Sequence, residues 1–276
     1  MKNTGIRYLK FKEMKHLFRP FFEPINHAIV FFEYIGSLFE LFLQTLSHMF
    51  VPPLKKERIY TQCKIIGVDS LPIVSLVAVF TGIILAFQTA YQMAKLSSEI
   101  YIANIVSVSL VRELGPVLTG LIVAGRNGAA ITAEVGTMKV TEQIDALYTF
   151  SANPVKYLVV PRFLALAIML PLLTLYSDIV GIFGGYFICV YRMGLTSSLY
   201  LDMSFKSLLL KDLFIGLFKT AAFGMIIALV AILEGFRVEG GAEGVGKATT
   251  NSVVKTFILI IAADCFFAAL FYFIIK

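Results

Sequence analysis

The sequence predicts an all-α integral membrane protein with an N-terminal interfacial amphipathic helix, five transmembrane helices, and a short cytoplasmic helix between the second and third of them. Composition is the first indication, since 58% of the 276 residues are hydrophobic, 15% are charged, and the mean hydropathy is +0.82. Soluble domains have roughly 45–50% apolar and about 25% charged residues. The second indication is that the apolar residues are grouped in five long runs.

The five apolar runs extend over residues 66–94, 101–124, 157–191, 211–235 and 253–275. A helix of about 20 apolar residues crosses the hydrocarbon core of a bilayer, so each run is predicted to span the membrane. Between the second and third runs lies a polar connector, residues 125–156. Because the composition is so apolar, the whole chain, residues 1–276, is expected to form one membrane domain without a separate soluble domain.

Residues 17–50 are predicted to form the interfacial helix. Apolar positions such as Phe32 and Phe39, and polar positions such as Glu33 and Glu40, recur at steps of three or four. This spacing is typical of an amphipathic helix that lies in the membrane interface. A first transmembrane span is the alternative interpretation, but it would carry Glu33 and Glu40 into lipid at a cost in free energy.

The distribution of Lys and Arg predicts the orientation of the chain. Residues 1–65, 125–162 and 236–255 together carry 17 basic residues, and the segments on the opposite side carry 5. Because cytoplasmic segments are enriched in Lys and Arg, we expect a cytoplasmic N-terminus. After five crossings, the C-terminus is expected on the other side of the membrane.

Arg112 and Glu113 are charged residues inside the second apolar run, and the helix-distorting Pro116 follows them closely. Charged side chains in a membrane span are costly, and they mark either a polar pathway or contacts between helices. Pro116 also frees a backbone carbonyl, which needs a partner or a cavity. Two interpretations stay open: a structural ion pair, or a polar lining for a charged head group made by Arg112, Glu113 and Pro116.

Asp178, Lys219 and Asp264 lie in the third, fourth and fifth runs. Unpaired charges are costly in lipid, so we expect Lys219 to pair with Asp264, or else with Asp178 or Glu113. We interpret the three residues as structural charges that hold the bundle together. The third run also has a small-residue face, expected to serve packing inside the chain, which consists of Gly181, Gly184 and Gly185.

The connector, residues 125–156, is too polar to stay in lipid, yet its pattern is regular. It contains the helix-favouring segment Met-Lys-Val-Thr-Glu-Gln-Ile-Asp-Ala-Leu at 138–147. A solvated loop would leave Ile144 and Leu147 exposed, whereas a short helix with an acidic and an apolar face suits docking into a groove of a partner protein. The predicted docking residues are Glu134, Met138, Lys139, Thr141, Glu142, Gln143 and Asp145.

Catalytic and cofactor-binding motifs are not indicated. Residues 241–247 have the spacing of a phosphate-binding loop, but Ala248 stands where that motif needs Ser or Thr. No nucleophile is paired with a base, and the three cysteines lack the spacing of metal ligands or disulfides. We therefore predict no enzyme activity, metal or cofactor. The basic N-terminal region is expected to face anionic lipid rather than nucleic acid.

The chain carries, in order, Arg-Glu-Leu-Gly-Pro at 112–116, the segment from Glu134 to Leu147, Asn153-Pro154, Val160-Pro161-Arg162 and a glycine-rich segment at 240–250. Together these motifs resemble the MlaE/YrbE family, the permease subunits of lipid-transporting ABC systems. The resemblance covers about residues 60–276 and is most specific over 112–162. It implies that residues 1–276 form one ABC permease domain.

This resemblance implies a homodimer in a bacterial inner membrane, with its C-terminus in the periplasm. The implied partners are an ABC ATPase, an Mce-domain substrate-binding protein, in some systems a STAS-domain protein, and membrane phospholipid. Residues 137–147 are then the coupling helix, and Arg112 and Glu113 line a lipid cavity at the dimer axis. The implied activity is ATP-driven movement of glycerophospholipids between inner and outer membranes, which maintains outer-membrane lipid asymmetry.

Two other functions stay open. A secondary transporter or channel working alone would move its cargo without ATP and without an ATPase partner. A membrane anchor for an Mce-domain lipid-binding protein would have no transport activity of its own. The amphipathic pattern of the connector favours the ATP-driven system, because neither alternative needs a docking helix.

Overall fold

The computed structural model describes residues 29, 31–51, 56–95, 98 and 101–274, and the chain divides into two units, Met1–Gln44 and Thr45–Lys276. In the first unit, residues 31–44 are helical, and Phe31, Phe32 and Phe39 are exposed. The exposed aromatic side chains agree with the amphipathic pattern of the predicted interfacial helix. Residues 17–28 of that helix lie outside the described residues, so its position in the membrane interface stays a prediction.

The described residues of the second unit form helices and no strand. We label its longer helices α1 (Lys56–Ala94), α2 (Ile102–Val140), α3 (Gln143–Thr149), α4 (Val155–Tyr191), α5 (Ser197–Ser207), α6 (Leu210–Phe236) and α7 (Gly241–Ile274). Five of them, α1, α2, α4, α6 and α7, are long and apolar enough to cross a membrane. The predicted all-α membrane fold with five spanning helices is thereby confirmed.

Several helices continue well beyond the apolar runs. The second run ends at residue 124, whereas α2 continues to Val140, and the fifth run begins at 253, whereas α7 begins at Gly241. The extension of α2 is held by packing, because Ile131, Val135 and Gly136 are buried on one face. Thr132 Oγ1 also lies 3.0 Å from the carbonyl oxygen of Ala231 and 2.8 Å from Ser252 Oγ, besides 2.9 Å from the carbonyl oxygen of Gly128 in its own helix. Contacts with α6 and α7 thus support a helical segment that hydropathy alone does not mark.

The centre of the second unit is formed by α4 and α6, which are the most buried of the five long helices. Helix α1 packs along α4, and helices α2 and α7 pack along α6. The contact between α1 and α4 depends on glycine, because Gly82 faces the carbonyl of Gly181, and Gly184 faces the carbonyl of Val79, without room for a side chain. The small-residue face of the third run therefore serves packing inside the chain, as predicted.

Helices α1, α2 and α4 contain irregular turns. Helix α1 is interrupted by a 3₁₀ turn at Val68–Ser70, and π-helical turns occur at Leu110–Leu114, Ala124–Gly128 and Val155–Val159. π-Helical turns in a long helix are often found at functional sites. The first of these turns directly precedes Pro116, whose missing N–H removes one ordinary helical hydrogen bond. The charged pair at 112–113 therefore sits on a distorted turn rather than on a regular helix.

Helix α5 lies between the fourth and the sixth helix and is anchored by Tyr200. The Tyr200 side chain is fully buried, donates to the carbonyl of Ile182 at 3.2 Å, and meets the Tyr186 ring edge-on at 5.6 Å between centroids. Burial raises the pKa of the Tyr200 hydroxyl, which keeps this group neutral at physiological pH. A neutral, hydrogen-bonded phenol thus fixes a short helix that is itself only weakly apolar.

Candidate functional site

Five charged residues from three helices form a cluster within the long helices, which we call the charge cluster. Arg112 and Glu113 come from α2, Asp212 and Lys219 from α6, and Asp264 from α7. Lys219 is fully buried, its Nζ lies 2.7 Å from Glu113 Oε2, and it lies 3.0 Å from Asp264 Oδ1. The expected contact between Lys219 and Asp264 is confirmed, and the alternative partner Glu113 is engaged as well.

The distorted turn of α2 supplies a further ligand for Lys219. Because Pro116 has no N–H, the carbonyl of Arg112 loses its usual helical donor. Lys219 Nζ lies 3.4 Å from this carbonyl oxygen and donates to it. Pro116 itself is buried, and it packs where Gly216 leaves space on α6. Pro116 therefore shapes the turn that carries Arg112 and Glu113, and its ring is not open to a ligand.

Arg112 is the most loosely held member of the charge cluster. Its Nε lies 3.7 Å from Asp212 Oδ1, which is longer than a hydrogen bond, and 45% of its side chain is exposed. Asp212 is buried in the first turn of α6, seven positions before Lys219, a rise of about 10 Å. Arg112 thus lies near the Leu210 end of α6. The guanidinium has N–H groups left for another anion.

Asp178 lies apart from the charge cluster, although the sequence groups it with Lys219 and Asp264. Its side chain is buried on α4 and approaches Gly115, where an added methyl group would collide with the carboxyl group. Neither carboxyl oxygen has a hydrogen-bond partner among the described residues. The suggested pairing of Lys219 with Asp178 is therefore not formed. Gly115 instead provides the space that Asp178 occupies.

The connector contains a bend where the family resemblance implies one coupling helix over 137–147. Helix α2 ends at Val140, and α3 begins at Gln143 after Glu142, which has a left-handed backbone with φ of 57°. Thr141 Oγ1 donates to the carbonyl of Thr137 at 2.8 Å, and Gln143 Nε2 donates to Thr141 Oγ1 at 3.0 Å. The left-handed backbone of Glu142 ends the helical path of α2, and the two side-chain hydrogen bonds lie beside the bend.

The connector is polar and exposed around the bend at Glu142, but it also contains packed residues. Lys139 Nζ lies 3.4 Å from Asp145 Oδ1 across the bend, and Ile144 is buried, as expected for a helix with an apolar face. Asn153 Oδ1 accepts from the N–H of Val155 at 2.8 Å, and Pro154 lies next to it. An Asn cap followed by Pro is a standard start for a helix, which explains where α4 begins.

Two of the predicted docking residues face the bundle instead of the tip. Glu134 Oε1 forms an ion pair with the buried Arg162 of α4 at 2.7 Å, and Met138 lines a cavity beside it. The remaining predicted docking residues lie around the bend, where they are available to a partner. These are Lys139, Thr141, Glu142, Gln143 and Asp145.

Three residues of functional interest are not among those predicted from the sequence. Asp212 stands at the edge of the fourth run, where it reads as a flanking charge, but it is buried beside Arg112. Tyr148 and Phe150 are 64% and 81% exposed at the end of α3. Two large exposed aromatic side chains in a polar connector are a signal for a protein interface, and this signal is visible in the sequence.

Comparison with known proteins identifies the family of this chain. A sequence model of the family described as Permease MlaE matches residues 59–270. The chain belongs to the MlaE permease family. A probable ABC transporter permease protein of Rickettsia typhi is 45% identical to this MlaE permease over 240 residues, which cover 87% of this chain and 92% of the relative.

More distant relatives have the same description. A probable ABC transporter permease protein of Synechocystis sp. is 36% identical over 248 residues, 90% of this chain and 94% of the relative. One of Porphyra purpurea is 37% identical over 220 residues, 80% of this chain and 84% of the relative. This MlaE permease is accordingly the membrane subunit of an ABC transporter, a class of transporter that works with an ATPase partner.

Proposed function

We propose that this permease belongs to an ATP-driven transporter that moves glycerophospholipids between the inner and outer membranes and so maintains outer-membrane lipid asymmetry. The observation that carries the proposal is the position of Arg112, a half-exposed guanidinium held only loosely by Asp212. A guanidinium binds phosphate oxygens in a bidentate manner. Apolar helix surfaces around it accept acyl chains.

In the proposed mechanism, Arg112 binds the lipid phosphate, and Glu113 lines the same cavity next to it. Glu113 is also half exposed while it holds Lys219, so it can face the cavity without leaving its ion pair. Pro116 stays buried and shapes the turn that carries Arg112 and Glu113. Asp178, Lys219 and Asp264 keep a structural role, because they lie deeper between the helices than Arg112 does.

We further propose that two copies of the chain form a homodimer with the lipid cavity at its axis. Among the five long helices, α7 is the least buried within the single chain. Several of its aromatic side chains, including Phe266 and Phe273, are exposed. A second copy would cover part of this apolar surface and place its own Arg112 at the cavity.

The proposed ATPase contact is the connector tip, which consists of the bend around Glu142 together with the exposed Tyr148 and Phe150. Helix α2 runs from this tip back to Arg112 over 28 residues, a distance of about 40 Å along the helix. Its π-helical turn at Ala124–Gly128 lies between the two ends. ATP binding and hydrolysis would move the tip, and α2 would transmit that movement to the lipid cavity.

We also propose a membrane location, an orientation and partner proteins for this chain. The chain would lie in a bacterial inner membrane with the N-terminus and the connector in the cytoplasm and the C-terminus in the periplasm. An Mce-domain substrate-binding protein would sit on the periplasmic face. A STAS-domain protein could bind the ATPase.

The test is lipid transfer from proteoliposomes that contain the permease with its ATPase and Mce-domain partners. Labelled phospholipid is expected to reach acceptor vesicles only with ATP and a functional ATPase. Transfer by the permease alone without ATP would favour a secondary transporter or channel. Equal transfer with an inactive ATPase would instead favour a membrane anchor for the Mce-domain protein.

A further inference from the structure

A cavity of about 220 Å³ lies between the first turns of α1, the part of α2 that carries Glu134 and Met138, and the start of α4. Residues that bear on its chemistry are Arg58, Thr61, Gln62, Glu134, Tyr157 and Arg162. Pockets for drug-sized ligands have volumes of about 300–1,000 Å³, so this cavity suits a small group. It is separate from the charge cluster and from the connector tip.

Arg162 gives the cavity a buried positive charge with an unused donor. Its side chain is 6% exposed, its Nη2 lies 2.7 Å from Glu134 Oε1, and its Nη1 donates to the carbonyl of Leu158 at 2.9 Å. The Nε of Arg162 has no hydrogen-bond acceptor in the described part of the chain. A guanidinium carries five N–H donors, so the contacts with Glu134 and Leu158 leave Arg162 with donors that no described residue accepts.

Arg58 adds a second guanidinium to the cavity. Its Cζ lies 3.3 Å from the centroid of the Tyr157 ring, so the guanidinium plane is fixed by the aromatic face. Among the described residues, Arg58 has no carboxylate within ion-pair distance. Stacking leaves the N–H groups at the edge of a guanidinium available. Arg58 and Arg162 thus offer two cations to a cavity that contains one carboxylate, Glu134.

The spacing of residues on α1 adds another hydrogen-bond donor to the cavity. Gln62 follows Arg58 by four residues, which places both side chains on one face of α1. The Thr61 hydroxyl already donates to the carbonyl of Glu57 at 2.9 Å, so it is not the donor that a ligand would use. The donors that remain are those of Arg58, Gln62 and Arg162. A tetrahedral oxyanion with several acceptor oxygens matches this set better than a single carboxylate does.

We propose that this cavity binds a phosphate group, supplied either by the headgroup of an anionic membrane lipid or by free phosphate. The cavity lies just before residue 66, where the apolar run of α1 begins, so a headgroup at the membrane surface is within reach. The lipid source rests on the cytoplasmic orientation proposed above. Phosphate binding itself rests only on the cavity. Occupancy of this cavity beside Glu134 and Met138 would then depend on the phosphate content of its surroundings.

The experiment measures binding of inorganic phosphate to the purified full-length chain in an uncharged detergent, by titration calorimetry in chloride buffer. Replacing Arg58 by Gln removes the unpaired guanidinium and keeps the Arg162–Glu134 contact. We expect Arg58→Gln to weaken binding about tenfold or more, as expected for loss of one charge-assisted contact. Lys64→Gln is the matched control, because Lys64 is exposed on the same helix and does not line the cavity.

A second variant and a lipid arm complete the test. Gln62→Leu keeps the charge and is expected to weaken phosphate binding less than Arg58→Gln does. If the lipid headgroup is the ligand, phosphatidylglycerol in nanodiscs is expected to compete with phosphate for the cavity. If free phosphate is the ligand, it is expected to stay bound in nanodiscs of phosphatidylcholine alone. Equal binding by the wild type and Arg58→Gln, or no phosphate binding in either arm, would overturn the proposal.

A docked protein side chain is the competing outcome. If Arg58→Gln binds phosphate as the wild type does but loses the ATPase subunit, the cavity holds a carboxylate of that partner and the phosphate proposal is wrong. Neither binding arm contains ATP, an ATPase or a transport readout. Failure of phosphate binding is therefore distinguishable from failure of the proposed transport function.

Discussion

Lys219 on α6 and Glu113 on α2 form the shortest ion pair in the charge cluster, with 2.7 Å between Nζ and Oε2. Because Lys219 also contacts Asp264 of α7, one ammonium group joins three membrane-length helices. The Lys219 side chain is fully buried, so its removal leaves two carboxyl groups without their cation. If Lys219 has a structural role, its loss should therefore destabilise the fold.

We predict that Lys219→Met destabilises the chain by about 3–5 kcal/mol, the usual cost of breaking a buried ion pair from one side. The variant should accumulate poorly and unfold at a lower temperature in detergent. The triple variant Glu113→Gln, Lys219→Met and Asp264→Asn removes all three charges and should recover most of the loss. Full stability of Lys219→Met alone would contradict a structural role.

We predict different outcomes for the two members of the Arg112–Asp212 contact. Arg112→Ala should reduce lipid transfer while the assembled complex stays at the wild-type level, because the 3.7 Å contact adds little to packing. Asp212→Asn breaks the same contact and keeps the guanidinium, so it should retain most of the transfer. If both variants lower assembly equally, Arg112 acts as a structural ion-pair partner and not in lipid binding.

We predict that Gly184→Ala separates α1 from α4, because the added methyl group would lie 2.6 Å from the carbonyl oxygen of Val79. A cost of about 1–3 kcal/mol is expected for such overpacking. Gly246→Ala is the control: it lies in a helix with nothing within 4 Å of the new methyl group and should be neutral or slightly stabilising. Thermal unfolding of both variants in one detergent measures the difference.

We predict that Phe150→Ser and Tyr148→Ser weaken association with the ATPase without lowering the unfolding temperature. Both side chains are exposed on the connector, so their removal takes little from the fold. Phe205→Ser is the control, since Phe205 is 72% exposed on α5, outside the connector. Co-purification of the ATPase with each variant is the measurement. Unchanged co-purification of both connector variants would exclude this surface as the docking site.

Hydropathy and spacing predict much of this fold, because membrane-length helices depend mainly on the number of consecutive apolar residues. The glycine face of α4 was predictable for a similar reason, since close helix contacts need small residues at fixed spacing. The continuation of α2 to Val140 was not, because it depends on burial against α6 and α7. The bend at Glu142 depends on a left-handed backbone conformation that composition does not reveal.

The charge cluster was predictable only in part. Charges inside apolar runs are visible in the sequence, which is why Arg112, Glu113, Lys219 and Asp264 stood out. Which of them meet depends on how the helices are rotated about their axes, and this is not encoded in the position of a residue within a run. Asp178 illustrates the point, since its helix directs the carboxyl group towards Gly115 and away from Lys219.

The most direct measurement is the side of the membrane on which the connector lies, because an ATPase can act only on a cytoplasmic surface. Cysteine would replace Glu142 in a chain whose Cys63, Cys189 and Cys265 are changed to Ser. A membrane-impermeant maleimide is predicted to leave Glu142→Cys unlabelled in intact spheroplasts and to label it in inverted vesicles. Labelling in intact spheroplasts would place the connector outside the cytoplasm and contradict ATP-driven transport through this surface.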